Sequence, residues 1–255
     1  MQLRRIFYFD PRVRGKYGRN YRMILVGGGA LLSRAARYAK QLRLRVDLAC
    51  CPPGDASRWA LKEIGIPLLE TSDPNADLPS MLEKCSDGVA FSINNRYILR
   101  DELLCAGVSF FNVHSGLVQK YRGLSEVCVF AALCGGEQSY GVTLHRILPG
   151  QRVDAGPVIS QLQFKIADND GFEHVLTNCL YACQKIFESN ASQIVSKNFK
   201  STNVEVSKEA YSYKNLIKLC RNADAACLSR ASRFGVYATV FPKLKGTVES
   251  VREAS

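Results

Sequence analysis

Several features that mark special classes of protein are absent from, or rare in, this 255-residue sequence. No apolar run approaches the roughly 18 residues of a membrane-spanning helix, and no charged segment followed by an apolar core opens the chain as a secretory signal would. Glycine and proline number only 19 and 9, which excludes collagen-like and low-complexity fibres. The apolar fraction of 47% is too high for a disordered chain. What remains is a globular protein that is long enough to bury a real core.

The ten cysteines do not follow the pattern of a disulfide framework or a zinc site. No Cys-x-x-Cys pair occurs, which argues against both. Most of the cysteines lie in apolar or helix-like stretches, where a free thiol packs as a small hydrophobe. These are Cys50, Cys105, Cys128, Cys134, Cys179, Cys183, Cys220 and Cys227. We therefore expect reduced thiols, no bound metal and a cytoplasmic protein.

The net charge of +11 is unevenly distributed along the chain. Residues 1–22 carry seven basic side chains and one acidic one, so +6 of the net charge lies in this basic leader. The rest of the chain has an ordinary charge for an enzyme, which argues against nucleic acid as a partner and favours a small anionic substrate. The leader is either a peripheral start or a source of cations that attract the substrate's phosphates.

Hydrophobic periodicity in the first half of the chain predicts alternating strands and helices. The first unit is a strand, a turn of three glycines, an amphipathic helix and a second strand, at 23–26, 27–29, 31–43 and 45–50. Further helices are expected at 55–64, 78–85 and 98–106, and further strands at 66–69, 89–93 and 108–113. Repeated βαβ units predict an α/β fold, with a Rossmann-like, mostly parallel twisted sheet and flanking helices.

The second half of the chain predicts a helix at 124–134, strands at 141–147 and 157–166, and a long helix from 170 to about 197. Asp170 is expected to be the N-cap of the long helix, with Glu173 in the capping-box position. Residues 201–255 show a weaker pattern and predict a short C-terminal appendage. This divides the chain into the basic leader 1–22, a catalytic domain 23–200 and a C-terminal extension 201–255.

Asn112 and His114 stand at the end of a predicted strand, which is where open parallel sheets bind ligands. Because they are two residues apart in an extended segment, their side chains can point to one side. An amide beside an imidazole suits a reaction in which a carbonyl oxygen gains negative charge while a proton moves. Asp154, in a loop bounded by glycine and proline, would orient the imidazole. Taken singly, each of the three is also compatible with a turn or surface role.

Four motifs that occur in order are more specific. They are Asn-Val-His at 112–114, Tyr-Arg-Gly at 121–123, Gly-Val-Thr-Leu-His at 141–145 and Val-Asp-Ala-Gly-Pro-Val-Ile at 153–159. Together they resemble the folate-dependent formyltransferase family over about residues 23–200. That family includes glycinamide ribonucleotide transformylase, methionyl-tRNA formyltransferase and the amino-sugar N-formyltransferases. The resemblance implies transfer of a formyl group from 10-formyltetrahydrofolate to a primary amine, without a metal.

The resemblance also implies roles for individual residues. The catalytic trio would be Asn112, His114 and Asp154: the first two stabilise the oxyanion formed when the amine attacks, and Asp154 sustains the proton transfers. The donor cleft would be bordered by Ser92, Ile93, Asn94, Gly150, Gln151, Arg152 and Val153. The acceptor pocket would involve Ser115, Tyr121, Arg122, Gly123 and His145. From the residues alone, His145 is equally compatible with a packed structural histidine, Arg122 with a solvated side chain, and His174 is expected to be structural.

Departures from the family's motifs bear on the acceptor. The C-terminal extension is too short for the tRNA-binding barrel of the methionyl-tRNA branch. The glycine turn at 27–29 is not followed by the Ser and Asn of the purine enzyme, and the tail around Tyr211 and Tyr213 is similar to the amino-sugar branch. The loop after His114 reads Ser-Gly-Leu-Val-Gln where the family commonly has Pro-Ser-Leu-Leu-Pro, so we expect a loop less stiffened by proline.

These departures favour a nucleotide-linked amino sugar as the acceptor. The alternatives are the hydroxylated ornithine of siderophore assembly and glycinamide ribonucleotide. A nicotinamide oxidoreductase is an alternative from another enzyme class, but its GxGxxG motif is incomplete, because Leu32 stands where the third glycine belongs. A basic nucleic-acid-binding module would require salt-sensitive affinity that survives deletion of residues 1–22. The residues do not fix the oligomeric state, and a homodimer stays open.

Overall fold

The structure, a computed structural model, describes residues 22–82 and 88–253. The predicted basic leader therefore lies outside the described residues, except for Arg22. That residue is the first of strand β1, and its guanidinium lies 3.6 Å from the Asp47 carboxylate. Cys85 and the last residues of the helix predicted at 78–85 also lie outside the described residues.

Seven strands form one mixed sheet in the order β3-β2-β1-β4-β5-β6-β7. Strands β1 to β5 are parallel, whereas β6 and β7 run antiparallel to their neighbours. Their bounds are β1 Arg22–Gly27, β2 Arg45–Cys51, β3 Leu68–Glu70, β4 Val89–Ile93, β5 Ser109–His114, β6 Ser139–Ile147 and β7 Val158–Lys165. The predicted Rossmann-like, mostly parallel sheet is confirmed.

Helices cover both faces of this sheet. They are α1 Gly29–Gln41, α2 Ser57–Glu63, α3 Pro74–Asp77, α4 Pro79–Leu82, α5 Asp101–Leu104, α6 Ser125–Cys134, α7 Phe172–Val195, α8 Leu216–Asn222, α9 Ala225–Ala231 and α10 Pro242–Glu253. Helix α1 buries one stripe of leucine and alanine, as its periodicity predicts. Helix α6 buries eight of its ten residues, because α7 and the C-terminal extension pack over it. Of the described helices, none is both long and apolar enough to cross a membrane.

The start of helix α7 differs from the prediction. Its N-cap is Gly171, not Asp170, and the Asp170 carboxylate instead accepts a hydrogen bond from the Ala167 N–H at 2.9 Å. The expected capping box is absent, because the Glu173 carboxylate accepts from the Val236 N–H at 3.2 Å. The C-terminal extension thus supplies the contacts at this helix end that the local pattern assigned to Asp170 and Glu173.

The C-terminal extension contributes to the same hydrophobic core as the sheet. Leu216, Phe234 and Leu244 are buried in the main core cluster, and the Phe234 ring lies 5.1 Å from that of Phe172 in α7. Burying one large apolar side chain stabilises a fold by about 1.5–3 kcal/mol, so these residues anchor the extension firmly. The expectation that the thiols are buried is wrong for two positions: Cys105 is exposed just after short helix α5, and Cys227 is half-buried in the first turn of α9.

The strand order creates a crevice at the carboxyl edge of the sheet. Strands β1 and β4 are adjacent, and the chain proceeds from them toward opposite edges of the sheet. Such a switch point is where α/β proteins bind ligands, beyond the carboxyl ends of the strands. The ends of β1 and β4 are joined there by the Asn94 side chain, whose amide donates to the Gly28 carbonyl at 3.1 Å. Asn112 and His114 lie at the same edge, at the end of β5.

Candidate active site

Asn112, His114 and Asp154 meet at this edge. Asn112 and His114 alternate along β5, and His145 of β6 is directly opposite Asn112 in the antiparallel register. Cross-strand partners and alternate residues point to the same face, so the three side chains share one face of the sheet. The Asp154 carboxylate accepts from the Asn112 amide at 3.0 Å and lies 3.5 Å from the His114 Nδ1. Asn112 and His114, which are close in the sequence, therefore both lie next to Asp154, which is distant from them along the chain.

Asp154 has the most constrained position in the cluster. Its φ of +53° is in the left-handed region, which non-glycine residues adopt at a cost. One carboxylate oxygen faces Asn112 and His145, and the other faces His114 and the Gly123 N–H, which donates at 3.0 Å. Burial by itself would raise the pKa of this carboxyl. The neighbouring imidazoles and the Gly123 N–H outweigh burial, and they hold the Asp154 pKa well below its ordinary value.

His114 is held on both sides of its ring. The Nε2 atom lies 2.8 Å from the Tyr121 carbonyl oxygen, and the side chain is 4% exposed. A carbonyl only accepts, so Nε2 carries a hydrogen. Nδ1 faces the Asp154 carboxylate, which can stabilise a proton taken up at that atom. The imidazole is thus oriented by a carbonyl and a carboxylate, an arrangement that suits proton transfer.

The amide of Asn112 is fully engaged within the protein. It donates to the Asp154 carboxylate at 3.0 Å, and its nitrogen lies 3.3 Å from the His145 Nε2. The His145 Nδ1 lies 2.8 Å from the Arg146 carbonyl, which only accepts, so Nδ1 carries a hydrogen. A substrate oxygen bound by the Asn112 amide must take the place of one of these two neighbours, Asp154 or His145.

The low pKa of Asp154 predicts a pH-dependent contribution to stability. An unfolded aspartate has a pKa of about 3.9, so the unfolded chain takes up this proton before the folded one does. Below about pH 4 the contribution of Asp154 falls by up to about 1.4 kcal/mol per pH unit, and above it the contribution is complete. We expect the free energy of unfolding of the wild type, measured with urea from pH 6 to pH 3, to approach that of Asp154→Asn as the pH falls. Asn tolerates the positive φ, so the backbone is kept.

The matched control is Asp168→Asn, because Asp168 is exposed. Its difference from the wild type is expected to change little with pH. A difference between wild type and Asp154→Asn that stays constant over this range would show that the carboxylate does not have the low pKa that the site requires.

The loop that follows His114 is fixed without proline. Gly116 approaches His114 so closely that a Cβ atom would lie 2.7 Å from Nε2 and 2.5 Å from the Tyr121 carbonyl. Two buried side chains of β6 hold the loop: the Tyr140 hydroxyl donates to the Ser115 carbonyl and the Thr143 hydroxyl donates to the Gly116 carbonyl, each at 2.7 Å. Thr143 is paired with His114 in the strand register, a signal visible only once the strands are paired.

The residues predicted for the acceptor pocket lie mostly behind the surface of the site. Ser115, Tyr121, Arg122 and His145 are buried, and each has a partner in the protein. The alternative that Arg122 is solvated is wrong, since its side chain is 2% exposed. Gly123 contributes its N–H to Asp154. Contact of these residues with an acceptor stays a prediction.

The residues predicted for the donor cleft divide into two groups. Ser92 and Ile93 are the last two residues of strand β4, and both side chains are buried. Asn94, which directly follows β4, and residues 150–153, the rim loop that directly precedes Asp154, are exposed. The rim loop is attached to α5, because the Gly150 N–H donates to the Asp101 carboxylate at 3.1 Å. Sequence reasoning missed Asp101, which lies far from the motifs along the chain.

A second missed residue is Asp55, in the loop between β2 and α2. Its carboxylate accepts from the Gly29 N–H at 2.9 Å, in the first turn of α1, and from the Ser57 N–H at 2.8 Å. Burial raises the pKa of Asp55, but the donors of Ser57 and Gly29 outweigh it and leave the pKa below its ordinary value. A helix N-terminus attracts anions, and here the anion is supplied by the chain itself.

Among the described residues, no group of three or more His, Cys, Asp and Glu side chains is arranged to hold a metal ion. No family model matches the chain. Solved structures do match it. An N-formyltransferase from Helicobacter canadensis, in complex with folinic acid and dTDP-3-aminofucose, is 19% identical, with a TM-score of 0.63 over 76% of this chain and 71% of its own. A glycinamide ribonucleotide transformylase from Symbiobacterium toebii is 19% identical, with a TM-score of 0.64 over 73% of this chain and 96% of its own.

The chain has the formyltransferase fold. A 4-N-formyltransferase from Francisella tularensis matches it as well, with 16% identity and a TM-score of 0.63 over 78% of this chain and 81% of its own. Sugar and purine formyltransferases thus share this fold with the chain. In the formyltransferase fold seen here, the cluster of Asn112, His114 and Asp154 is at the carboxyl edge of the sheet, beside the switch point.

Proposed function

We propose that this protein transfers a formyl group from 10-formyltetrahydrofolate to the amine of a nucleotide-linked amino sugar. The observation that carries the proposal is the hydrogen-bonded cluster of Asn112, His114 and Asp154 at the ligand-binding edge of a formyltransferase fold. The cluster provides an amide donor, an imidazole and a carboxylate within contact of one another. These are the groups that acyl transfer to an amine requires: a donor to the developing oxyanion and a path for the proton.

The chain's own residues have distinct tasks in this reaction. The formyl donor supplies an electrophilic carbonyl carbon when bound. Asn112 turns an amide N–H away from its protein neighbours and donates it to the formyl oxygen as negative charge develops there. His114 exchanges the Tyr121 carbonyl for the reacting group and carries a proton at Nε2. Asp154 holds the imidazole and stabilises its protonated form through Nδ1.

The rim of the site fits a folate donor. Residues 150–153 directly precede Asp154 and are exposed, Asn94 is exposed after the end of β4, and a side chain at Gly150 would meet nothing within 4 Å. The Asp101–Gly150 contact fixes the position of this loop. An exposed loop held in place by the protein suits a pteridine ring, whose edge carries alternating hydrogen-bond donors and acceptors. The similar Helicobacter canadensis enzyme is in complex with folinic acid, which supports a folate here.

Asp55 favours an amino sugar over a phosphorylated purine precursor as the acceptor. A phosphate monoester binds readily at a helix N-terminus whose N–H groups are free. In this chain the Asp55 carboxylate already accepts the Gly29 N–H, so a phosphate there would lose that donor and meet a like charge. The Helicobacter canadensis enzyme is in complex with dTDP-3-aminofucose, and its fold is shared by this chain. Both observations support a nucleotide-linked sugar.

The acceptor is tested by comparing amines with the purified chain and 10-formyltetrahydrofolate. We expect a kcat/KM for a dTDP-linked amino sugar at least about 100-fold above those for glycinamide ribonucleotide and N-hydroxyornithine, a difference of about 2.7 kcal/mol in transition-state binding. Inorganic phosphate is expected to inhibit Asp55→Ala and to leave the wild type unaffected, because the variant opens the α1 N-terminus.

The control for Asp55→Ala is Asp73→Ala, since Asp73 caps helix α3 through the Asn75 N–H and lies outside the site. It should remain as insensitive to phosphate as the wild type. Preferred formylation of glycinamide ribonucleotide by the wild type would contradict the proposed acceptor and leave formyl transfer itself intact.

A further inference from the structure

Arg122 is a buried cation whose hydrogen bonds end on backbone carbonyls. Its Nε and Nη2 both donate to the Val153 carbonyl, with the Nε bond at 2.8 Å, and its Nη1 donates to the Ser207 carbonyl. Removing a guanidinium from water is costly unless its N–H groups are satisfied. A fork of donors that joins two chain segments satisfies that requirement, and it also fixes the distance between them.

The first of these segments carries Asp154. The Val153 carbonyl precedes the Asp154 backbone directly, so Arg122 holds the peptide at which the chain enters the left-handed conformation of Asp154. The next residue, Gly123, donates its N–H to the Asp154 carboxylate. Two consecutive residues therefore position Asp154: Arg122 holds its backbone, and Gly123 holds its side chain.

The second segment belongs to the C-terminal extension. We call residues 202–211 the C-terminal strap. Its two ends are anchored: Thr202 pairs with Val158 at the start of β7, and Tyr211 pairs with Gly123. In between, the Ser207 N–H donates to the Val118 carbonyl at 3.0 Å. The strap thus lies along the loop that follows His114, and its Ser207 carbonyl completes the set of acceptors around Arg122.

We propose that Arg122 is a positioning residue for Asp154 and that the C-terminal strap fixes Arg122 in that role. The strap reaches Asp154 through this side chain and through its backbone pairing with Gly123. Arg122 touches no reacting atom. It holds the loop that carries Asp154 in the position where the carboxylate contacts His114 and Asn112. The kinetic part of this proposal rests on the function proposed above, whereas its structural part does not.

The test combines a substrate-free measurement with kinetics on the full chain. The titration of the Asp154 carboxyl is followed by ¹³C NMR, with the signal assigned by Asp154→Asn. In Arg122→Lys, which keeps the charge and loses the fork, we expect the Asp154 pKa to rise toward its ordinary value. Turnover for formyl transfer to a dTDP-linked amino sugar is expected to fall about 100-fold, while the KM for the donor changes less than about threefold.

Two further variants complete the test. Arg122→Gln removes the charge as well and is expected to show both effects more strongly; should it not fold, Arg122→Lys carries the test. Arg221→Lys is the control, because Arg221 is an exposed arginine of helix α8 in the same extension. It is expected to leave the Asp154 pKa and turnover unchanged.

The outcomes separate this proposal from the proposed function. A raised Asp154 pKa in Arg122→Lys upholds the positioning role even if the wild type transfers no formyl group, which would overturn the function alone. An active wild type with unchanged Asp154 pKa and turnover in Arg122→Lys overturns the positioning role alone. Loss of thermal stability without either change assigns Arg122 to the framework only, and it likewise overturns the proposal.

Discussion

His114→Ala is expected to lower the turnover number for formyl transfer by about 100-fold or more. The imidazole lies between the Tyr121 carbonyl and the Asp154 carboxylate, and no other side chain within the cluster places a protonated nitrogen at this point. The KM for the folate donor should change little, since His114 lies outside the rim proposed for the donor, Asn94 and residues 150–153. Steady-state kinetics with a dTDP-linked amino sugar measures both quantities.

The chain offers a matched control in His174. It is an exposed histidine in the first turn of α7, far from the cluster along the chain. His174→Ala should keep the turnover of the wild type. A folded His114→Ala enzyme with turnover close to the wild type would remove the imidazole from the mechanism, whatever the fate of Asn112 and Asp154.

Gly123→Ala is expected to destabilise the protein by about 3 kcal/mol or more. Gly123 has a φ of +104°, and a Cβ atom there would lie 2.2 Å from the carbonyl oxygen and 2.8 Å from the nitrogen of Tyr211. Backbone cannot move aside as a flexible side chain does, so the C-terminal strap must separate from the loop. The hydrogen bond from the Gly123 N–H to the Asp154 carboxylate is then broken, so we expect the turnover number to fall together with the stability.

The variant Gly107→Ala separates the cost of a left-handed backbone from the cost of a steric clash between the new Cβ atom and the strap. Gly107 also has a positive φ, +83°, but a Cβ atom there meets nothing within 4 Å. Its expected cost is about 1–2 kcal/mol, from the left-handed backbone alone. Urea unfolding of the two variants measures the comparison. Equal losses in the free energy of unfolding of the two variants would mean that the strap does not pack closely against Gly123.

The parts of the fold that depend on local patterns could be predicted from the sequence. The strands and helices of the first half follow from apolar periodicity, and the alternation of Asn112 and His114 follows from the two-residue period of a strand. The approach of Asp154 rested on the resemblance to formyltransferases, because no local rule brings residue 154 to residue 114. The orientation of β6 and β7 was likewise not available from periodicity.

What could not be predicted depends on contacts between distant segments. Asp170 has the sequence of an N-cap, but Glu173 and the α7 start are instead satisfied by backbone around Val236. Arg122 stands two residues after exposed Lys120 in the sequence, yet its side chain is buried between the loop that carries Val153 and the C-terminal strap. Asp55 is an ordinary loop carboxylate until the parallel strands bring it to the N-terminus of α1. In each case the partner is set by tertiary packing, which outweighs the local preference.

The most direct test of the account follows the transferred atom. The full chain is mixed with 10-formyltetrahydrofolate labelled with ¹³C in the formyl group and with a dTDP-linked amino sugar, and ¹³C NMR records the product. The account predicts a labelled formamide on the sugar nitrogen with the wild type, formed at least about 100-fold more slowly by Asp154→Asn. A folded wild type that forms no labelled formamide with this sugar, with N-hydroxyornithine or with glycinamide ribonucleotide would contradict it.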